Sequence, residues 1–432
     1  MNGFRVTQVS TTDTVGGAAR CASRLNSALR SAGVRSQLFV ALRFGSDPSI
    51  REYNALAPAP RALGRLFFRL ARRTHRRTPF RAGMYLSFDR ALAGWRLAGQ
   101  LPPCDIVNLH WVADLLDFRT LPRIARRMPV VWTFHDMNPF TGGCHYSGAC
   151  ERYQDGCGSC PQLLDPQGRR DATRRAFERK RRSLARIDPS RLTVVCPSRW
   201  LALEARRSPL FGAFPLHIIP SGVDSVEYRP VERGEARRRF GLPAGARIAL
   251  FVAESVEDRR KGLSHLLEAI AAVRDIPGLL VVTIGRGAGA PPPDPLFRHL
   301  GPLGDEEALR TAYSAADVFA IPSLQDNFPN TVLEAMACAT PVVGFNAGGI
   351  REAVVDGRTG LLAPAGDGPA LAPLLRRVLE DAGFRRSLSW EARALVEREY
   401  TLDLQARRYA ALYEETIAAA GRRGRAGKEA PA

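Results

Sequence analysis

Phe4-Arg5-Val6-Thr7-Gln8-Val9-Ser10, a turn over Thr11–Gly17, the stretch Ala18–Ala32 and then Val34–Leu42 form the first complete structural unit of the chain. The first run mixes apolar and β-branched residues and reads as a strand. From Ala18 onward Ala18, Ala22, Leu25 and Leu29 fall on one helical face, and Val34–Leu42 is again a strand. Strand, helix, strand in this order predicts two parallel strands joined by a crossover helix. Asp105–Leu109, Val130–Phe134 and a run ending at Val194 and Val195 extend the same sheet. The style repeats further on. Arg247–Ala253, Leu279–Ile284, Asp317–Ile321, Pro341–Phe345 and Gly360–Leu362 read as strands, with helices over Gly262–Val273, Glu306–Ala315 and Thr331–Ala339. The fold class is therefore α/β, with two Rossmann-like, doubly wound domains. The expected boundaries are 1–225, 226–398, a terminal helix within 399–420 and a disordered basic tail over 421–432. The joint lies in Ile218–Pro230, and Thr401 is a candidate cap for the terminal helix.

The chain has 432 residues, 45% apolar and 24% charged, the balance of a folded protein with two sizeable cores. No uncharged apolar run is long enough to cross a bilayer, and the N-terminus lacks a secretory h-region. A formal net charge of +19 favours anionic partners. No recognisable nucleic-acid module accompanies that charge, so nucleic acid is not an expected partner. No P-loop motif occurs. Gly285-Arg286-Gly287-Ala288-Gly289 runs into Pro291, Pro292 and Pro293, which leaves no helix for a dinucleotide site.

Two insertions interrupt the first half. Ala59–Gly83 carries Arg61, Arg65, Arg69, Arg72, Arg73, Arg76, Arg77 and Arg81 and no acid, with Leu63, Phe67 and Leu70 at helical spacing. Such a helix either lies on an anionic membrane or packs its apolar stripe on the domain. The second insertion, Gly142–Pro161, holds Cys144-x5-Cys150-x6-Cys157-x2-Cys160 beside His145. Four thiolates in a short loop suit a structural zinc ion; disulfides and unliganded thiols are the alternatives. Cys21, Cys104, Cys196 and Cys338 sit on apolar faces and read as core residues.

Three stretches carry chemistry. Val15-Gly16-Gly17-Ala18 opens the first helix, where backbone N–H groups and the positive helix end favour a phosphate. Arg259-Arg260-Lys261-Gly262 follows a strand at the sheet edge where ligands bind. Cations opening a helix oppose its dipole, a conflict that a bound diphosphate would remove. Most specific is Pro322-Ser323-Leu324-Gln325-Asp326-Asn327-Phe328-Pro329-Asn330-Thr331-Val332-Leu333-Glu334-Ala335-Met336-Ala337. It sets two carboxylates, Asp326 and Glu334, across a loop and a helix start that Asn330 or Thr331 can cap.

This last string resembles the E-x7-E region of the retaining, family-4-type glycosyltransferases of GT-B fold. Asp13–Ala19, Asp105–Trp111, Thr133–Asp136, Cys196–Ser198, Ile219–Asp224, Pro341–Glu352 and Asp356–Leu362 resemble further family segments in order, over nearly the whole chain. His135–Leu163 is similar to a subgroup from bacterial exopolysaccharide and colanic-acid-type synthesis. The resemblance implies two domains facing a cleft, with the C-terminal helix returning to the first. It implies a nucleotide-diphosphate-sugar donor and a glycan or polyprenyl-diphosphate-linked acceptor. Lys261, Asp326 and His135 would be catalytic. Gly16, Gly17, Arg259, Arg260, Lys261, Asn327, Phe328, Pro329, Asn330 and Glu334 would bind the donor, Glu334 through its ribose. His110 and Asp136 would stand on the acceptor side. Front-face attack within an ion pair, with no catalytic metal, would retain the anomeric configuration. The protein would be cytoplasmic, peripheral at the inner face of the cell membrane. Two departures stand out: Asp326 replaces the family's first glutamate, and Glu254 and Ser255 stand where an arginine is common. A catalytically weakened donor-binding protein and a nucleotide-sugar epimerase are the alternatives.

Overall fold

The computed structural model describes residues 3–75, 80, 85–165, 171–287 and 294–429, with side chains from 72 to 75 and from 422 onward left aside. Arg76, Arg77, Arg81, Ala288, Gly289, Pro291, Pro292, Pro293 and positions 430–432 lie outside the described residues, as do the side chains of Arg72 and Arg73. The chain divides into two units. The first comprises Met1–Pro220 with Gln405–Ala432, and the second Ser221–Leu404.

The first unit is built on strands β1 (Arg5–Thr12), β2 (Arg35–Leu42), β3 (Ile50–Glu52), β4 (Ile106–Leu109), β5 (Val130–Thr133), β6 (Leu192–Cys196) and β7 (Leu216–Ile218). Their order is β3-β2-β1-β4-β5-β6-β7, all parallel. The order reverses between β1 and β4, which opens a crevice at the strands' carboxyl ends. Helices cover the sheet, so the central strands are buried on both sides. The terminal helix Leu402–Glu429 supplies part of that cover. Ala406, Tyr409, Ala410 and Tyr413 pack with Phe4, Val6, Ile106, Val131 and Val195. Thr401 caps this helix as expected, its Oγ1 accepting from Leu404 N at 3.3 Å. The helix runs on past residue 420 to Glu429. Ala, Arg, Lys and Glu tolerate a helix well, and the glycines interspersed among them weaken it without breaking it.

The second unit uses β8 (Arg247–Ser255), β9 (Leu279–Arg286), β10 (Phe297–His299), β11 (Val318–Ile321), β12 (Val342–Phe345) and β13 (Gly360–Ala363). Their order is β10-β9-β8-β11-β12-β13, again parallel, with the reversal between β8 and β11. Both units are thus doubly wound α/β layers.

Helix Arg61–His75 turns Gly64, Phe68 and Ala71 inward, while Leu63, Leu66 and Leu70 stay exposed. A Cβ at position 64 would lie 2.0 Å from Asn54 Oδ1, so glycine lets this face approach the domain. The arginine fork of Arg65 holds Glu52 through two bonds of 2.6 Å. Helix Asn330–Ala337 has Pro329 at its N-cap, not Asn330 or Thr331 as expected. Proline presets the backbone for helix entry.

Candidate functional site

In the second unit the loops after β8 and β11 meet at the switch point. Asp258 accepts from Arg260 N at 3.0 Å and starts the short turn Arg259–Lys261. Gly262 follows with φ +74°, and a Cβ there would sit 1.9 Å from Pro322 O. Glycine is therefore what allows the turn to lie against the loop after β11. Arg260 O accepts from Leu324 N at 2.8 Å, and Arg260 Nη1 donates to Gln325 O at 2.9 Å. The two loops are stitched together through Arg260.

This stitching brings Asp326 onto the cations. Lys261 Nζ stands 2.6 Å from Asp326 Oδ2, and Arg260 Nη1 is 3.4 Å from the same oxygen. Burial pushes the Asp326 pKa up, but Lys261 and Arg260 outweigh it and hold the carboxyl below its ordinary value. Asp326 and Asp258 thus set negative charge beside the cations of the Arg-Arg-Lys run. Gly348 has φ +54°, and a Cβ there would lie 2.0 Å from Asp326 O. Gly349 N donates to that same oxygen at 2.9 Å.

The remaining expected donor residues take distinct positions. Asn327 and Phe328 are buried beside Asp326, and the Phe328 ring meets Tyr400 edge-on at 5.5 Å. Pro329 and Asn330 begin the next helix, and Arg259 is exposed. Glu334 is only 2% exposed, and Tyr313 donates its hydroxyl to Oε2 at 3.1 Å. Where the family's arginine is missing, Arg286 at the end of β9 pairs with Glu254 at 2.6 Å.

The first unit builds its crevice differently. Asp13, fully buried, accepts from Phe44 N at 3.0 Å and Gly45 N at 2.7 Å, which fixes the loop after β1. Gly16 has φ +88° and stands at the start of helix Gly17–Ser31, with no side-chain cap. His110 follows β4 and His135 follows β5, and their rings bond through Nδ1 and Nε2 at 3.0 Å. His110 Nε2 lies 2.8 Å from Gln8 Oε1. With that oxygen accepting, His110 carries its proton on Nε2, its Nδ1 accepts from His135, and His135 Nδ1 keeps a lone pair. Burial pushes the His110 pKa well below the usual value, and the neighbouring His135 adds to this. Burial likewise lowers His135 to about 4, against a smaller upward pull from Asp136.

Asp136 accepts from Trp111 Nε1 at 2.9 Å and from Asn138 N at 2.8 Å, and it pairs with His145 Nδ1 at 2.6 Å. Burial raises its pKa, and His145, together with Asn138 N and His135, more than reverses that. His145 Nε2 reaches Ser87 Oγ at 3.1 Å, and Tyr85 stacks on the ring at 4.8 Å between centroids. A pocket lined by His110, Trp111, His135, Asp136, Asn138 and His145 results. The three residues expected here do converge. Gln8, Trp111 and His145 were missed as site residues. His145 had a signal, a histidine in the insertion directly following the His135 strand.

The zinc expectation for Cys144, Cys150, Cys157 and Cys160 is not met by the geometry. Among the described residues no three His, Cys, Asp or Glu side chains are placed to hold one metal ion. All four are free thiols. Burial pushes Cys144 and Cys157 up to about 12. Hydrogen bonds hold the loop instead. Lys180 Nζ donates to Asn138 O and Thr141 O at 2.6 and 3.0 Å, Cys160 N to Asp171 Oδ2 at 2.8 Å, and Gly142 N to Cys157 Sγ at 3.1 Å.

Family models match both units: Glycosyltransferase Family 4 over residues 15–227 and Glycosyl transferases group 1 over residues 246–381. A D-inositol 3-phosphate glycosyltransferase of Geodermatophilus obscurus is 36% identical over 240 residues, 49% of this chain and 51% of that one. The protein of the same name from Kineococcus radiotolerans is 32% identical over 318 residues, 67% of this chain and 66% of its own length. The chain thus spans about half to two thirds of the length of these relatives. Among solved structures, a sucrose-phosphate synthase of Thermosynechococcus elongatus superposes with TM-score 0.65 at 22% identity, covering 96% of this chain and 100% of that one. Anabaena HepE in complex with UDP-glucose gives 0.64 at 16% identity, covering 96% and 99%. At such identities these two establish the fold, GT-B.

Proposed function

The chain belongs to the group 1, family 4 glycosyltransferases, and from that premise we propose that it moves a sugar from a nucleotide-diphosphate donor to a glycan or lipid-linked glycan in surface polysaccharide synthesis. The observation that carries this reading is the Arg260–Lys261–Asp326 network at the β8/β11 switch point. In this reading Lys261 and Arg260 exchange part of their contact with Asp326 for the donor's diphosphate. Gly16 and Gly17 offer backbone N–H groups to phosphate, and Glu334, held by Tyr313, takes the ribose. The anomeric carbon's bond to the diphosphate oxygen breaks as the acceptor oxygen bonds to that carbon. The acceptor proton passes to the leaving phosphate. Preorganised cations stabilise the departing charge. His135 and His110 serve the acceptor side as neutral imidazoles, able to give and take hydrogen bonds without a fixed charge. The curated relatives named above act on inositol phosphate by name, which makes a phosphorylated polyol a further acceptor to try.

Calorimetric titration with a panel of nucleoside diphosphates and their sugars tests the reading. Saturable binding by the wild type, weakened at least 10-fold in Lys261→Ala, is expected; a flat titration for every member removes it. A second reading, a donor-binding protein with little turnover, is favoured by Asp326, a shorter carboxylate tied to Lys261. Donor binding without any hydrolysis or transfer would select it.

A further inference from the structure

Lys180 lies fully buried on the inner face of helix Ala172–Leu184, the face that also carries Ala176, Phe177 and Leu184. A buried ammonium is costly unless a partner compensates it. Among the described residues no carboxylate accepts from Lys180 Nζ. Burial pulls its pKa down to about 8, against upward pulls from Asp89, Cys157, Cys144 and Asp136. Asp89 itself is held by Arg179, through bonds of 2.8 and 2.6 Å. The Phe118 ring stands 4.9 Å from the ammonium. An apolar side chain would fill this place without the desolvation, so the charge answers to what it touches.

What it touches is the loop after β5. Nζ donates to Asn138 O at 2.6 Å and to Thr141 O at 3.0 Å. One ammonium thus gathers the first residue of the turn Asn138–Phe140 and the residue that follows that turn. Charge-assisted bonds of this kind are roughly twice as strong as neutral ones. Asn138 is in turn a junction. Its backbone N–H donates to Asp136 Oδ1 at 2.8 Å, and its Nδ2 donates to Ser87 O and Gly143 O, both at 2.8 Å. Asp136 Oδ2 meets Trp111 Nε1 at 2.9 Å and His145 Nδ1 at 2.6 Å, and Ser87 Oγ meets His145 Nε2 at 3.1 Å. Both polar partners of His145, and the carboxylate that holds Trp111, are therefore tied to Asn138. These two rings line the same pocket as His110 and His135.

We propose that Lys180 is a positioning residue of the first crevice: through Asn138 it sets Asp136 and Ser87, and through them the Trp111 and His145 rings of the pocket. The kinetic consequence rests on the sugar-transfer reading above; the structural one does not. The full chain with isotope-labelled tryptophan is compared by NMR with Lys180→Met, which loses the donors, and Lys180→Gln, which keeps a neutral N–H donor. The Trp111 indole N–H signal, identified as the one that Trp111→Phe removes, should move upfield in Lys180→Met and stand partway in Lys180→Gln. The signals of Trp200 and Trp390 should stay. With a nucleotide-sugar that the wild type hydrolyses, kcat should fall about 10- to 100-fold in Lys180→Met. The donor KM should change less than about 2-fold, and Lys180→Gln should recover part of the loss. An unmoved Trp111 signal in Lys180→Met overturns the proposal, as does movement of all three signals together, which marks general loosening. An unchanged kcat, or a loss carried wholly by KM, overturns it too. Should Lys180→Met fail to fold, Lys180→Gln decides by itself: a partway signal supports the proposal and a wild-type one overturns it. If the wild type hydrolyses no nucleotide-sugar, the sugar-transfer reading fails while the spectra still decide the role of Lys180.

Discussion

The crevice at β1, β4 and β5 and the one at β8 and β11 share the same strand reversal, yet they store opposite chemistry. The first gathers His110 and His135 as neutral rings in a hydrogen-bonded chain from Gln8. The second gathers Lys261, Arg260 and Asp326 as full charges in contact. Burial acts on both. Where a partner of opposite charge is at hand, as for Asp326, the group stays ionised. Where the direct neighbour is another imidazole, as for His110, the charge is lost. Topology places the residues, and the nearest partner decides their charge.

The largest expected effect falls on the charged crevice. Lys261→Ala removes the counter-ion of Asp326 and the proposed diphosphate cation. Steady-state assays should show kcat/KM for donor reduced about 100- to 1000-fold with an unchanged far-UV circular dichroism spectrum. Unimpaired turnover would erase the functional difference between the two crevices.

A smaller effect separates them by pH. His135 has a folded pKa of about 4 against an ordinary value of 6.5. The unfolded state therefore binds more protons between these values, and stability falls as pH drops through that window. The loss is roughly 2–3 kcal/mol. Asp326 acts in a more acidic window. Its lowered pKa adds stability above the ordinary carboxylate value of 3.8, which is lost only as pH falls through its still lower folded value. Hydrogen exchange resolved by unit should show the first unit loosening on going from pH 7 to 5 before the second, and His135→Asn should lessen that slope, His110 supplying the remainder. Simultaneous loosening would show that the contrast in charge has no thermodynamic weight.

The smallest effect sharpens the picture around Glu334. Tyr313→Phe deletes one buried hydroxyl donor at 3.1 Å. A loss of about 1 kcal/mol in chemical denaturation is expected, with less than about 10-fold change in turnover. A larger kinetic loss would place Tyr313 closer to the chemistry than its contact with Glu334 suggests.

Much of this was readable from the chain alone. Parallel strands buried on both faces tend to be continuous apolar runs, so β8 and β9 stand out, while β1 was marked by its β-branched residues and the glycine turn after it. Strands β3, β7 and β10 span three residues each, too few to display a period. Helix Arg61–His75 was recognised, but which face turns inward was not legible. Leu63, Phe67 and Leu70 fit a helical stripe as well as Gly64, Phe68 and Ala71 do, and only the neighbouring Asn54 decides between them. Lys261 and Asp326 were singled out separately. Their pairing joins residues far apart in sequence and depends on a glycine at 262 that admits Pro322. The cysteine spacing matched a metal knuckle, but spacing says nothing of where backbone hydrogen bonds will hold the loop.

The terminal helix bears on how the molecule comes into being. Tyr413 accepts from Asn108 Nδ2 at 2.7 Å and from Gln8 Nε2 at 3.2 Å, and Tyr409 bonds Thr133 at 3.0 Å. The amide that orients His110 is thus itself oriented by a residue translated some four hundred codons later. During synthesis Ser221–Leu404 leaves the ribosome whole before the opening β-sheet receives its last buried tyrosines, so the half begun first is the half completed last.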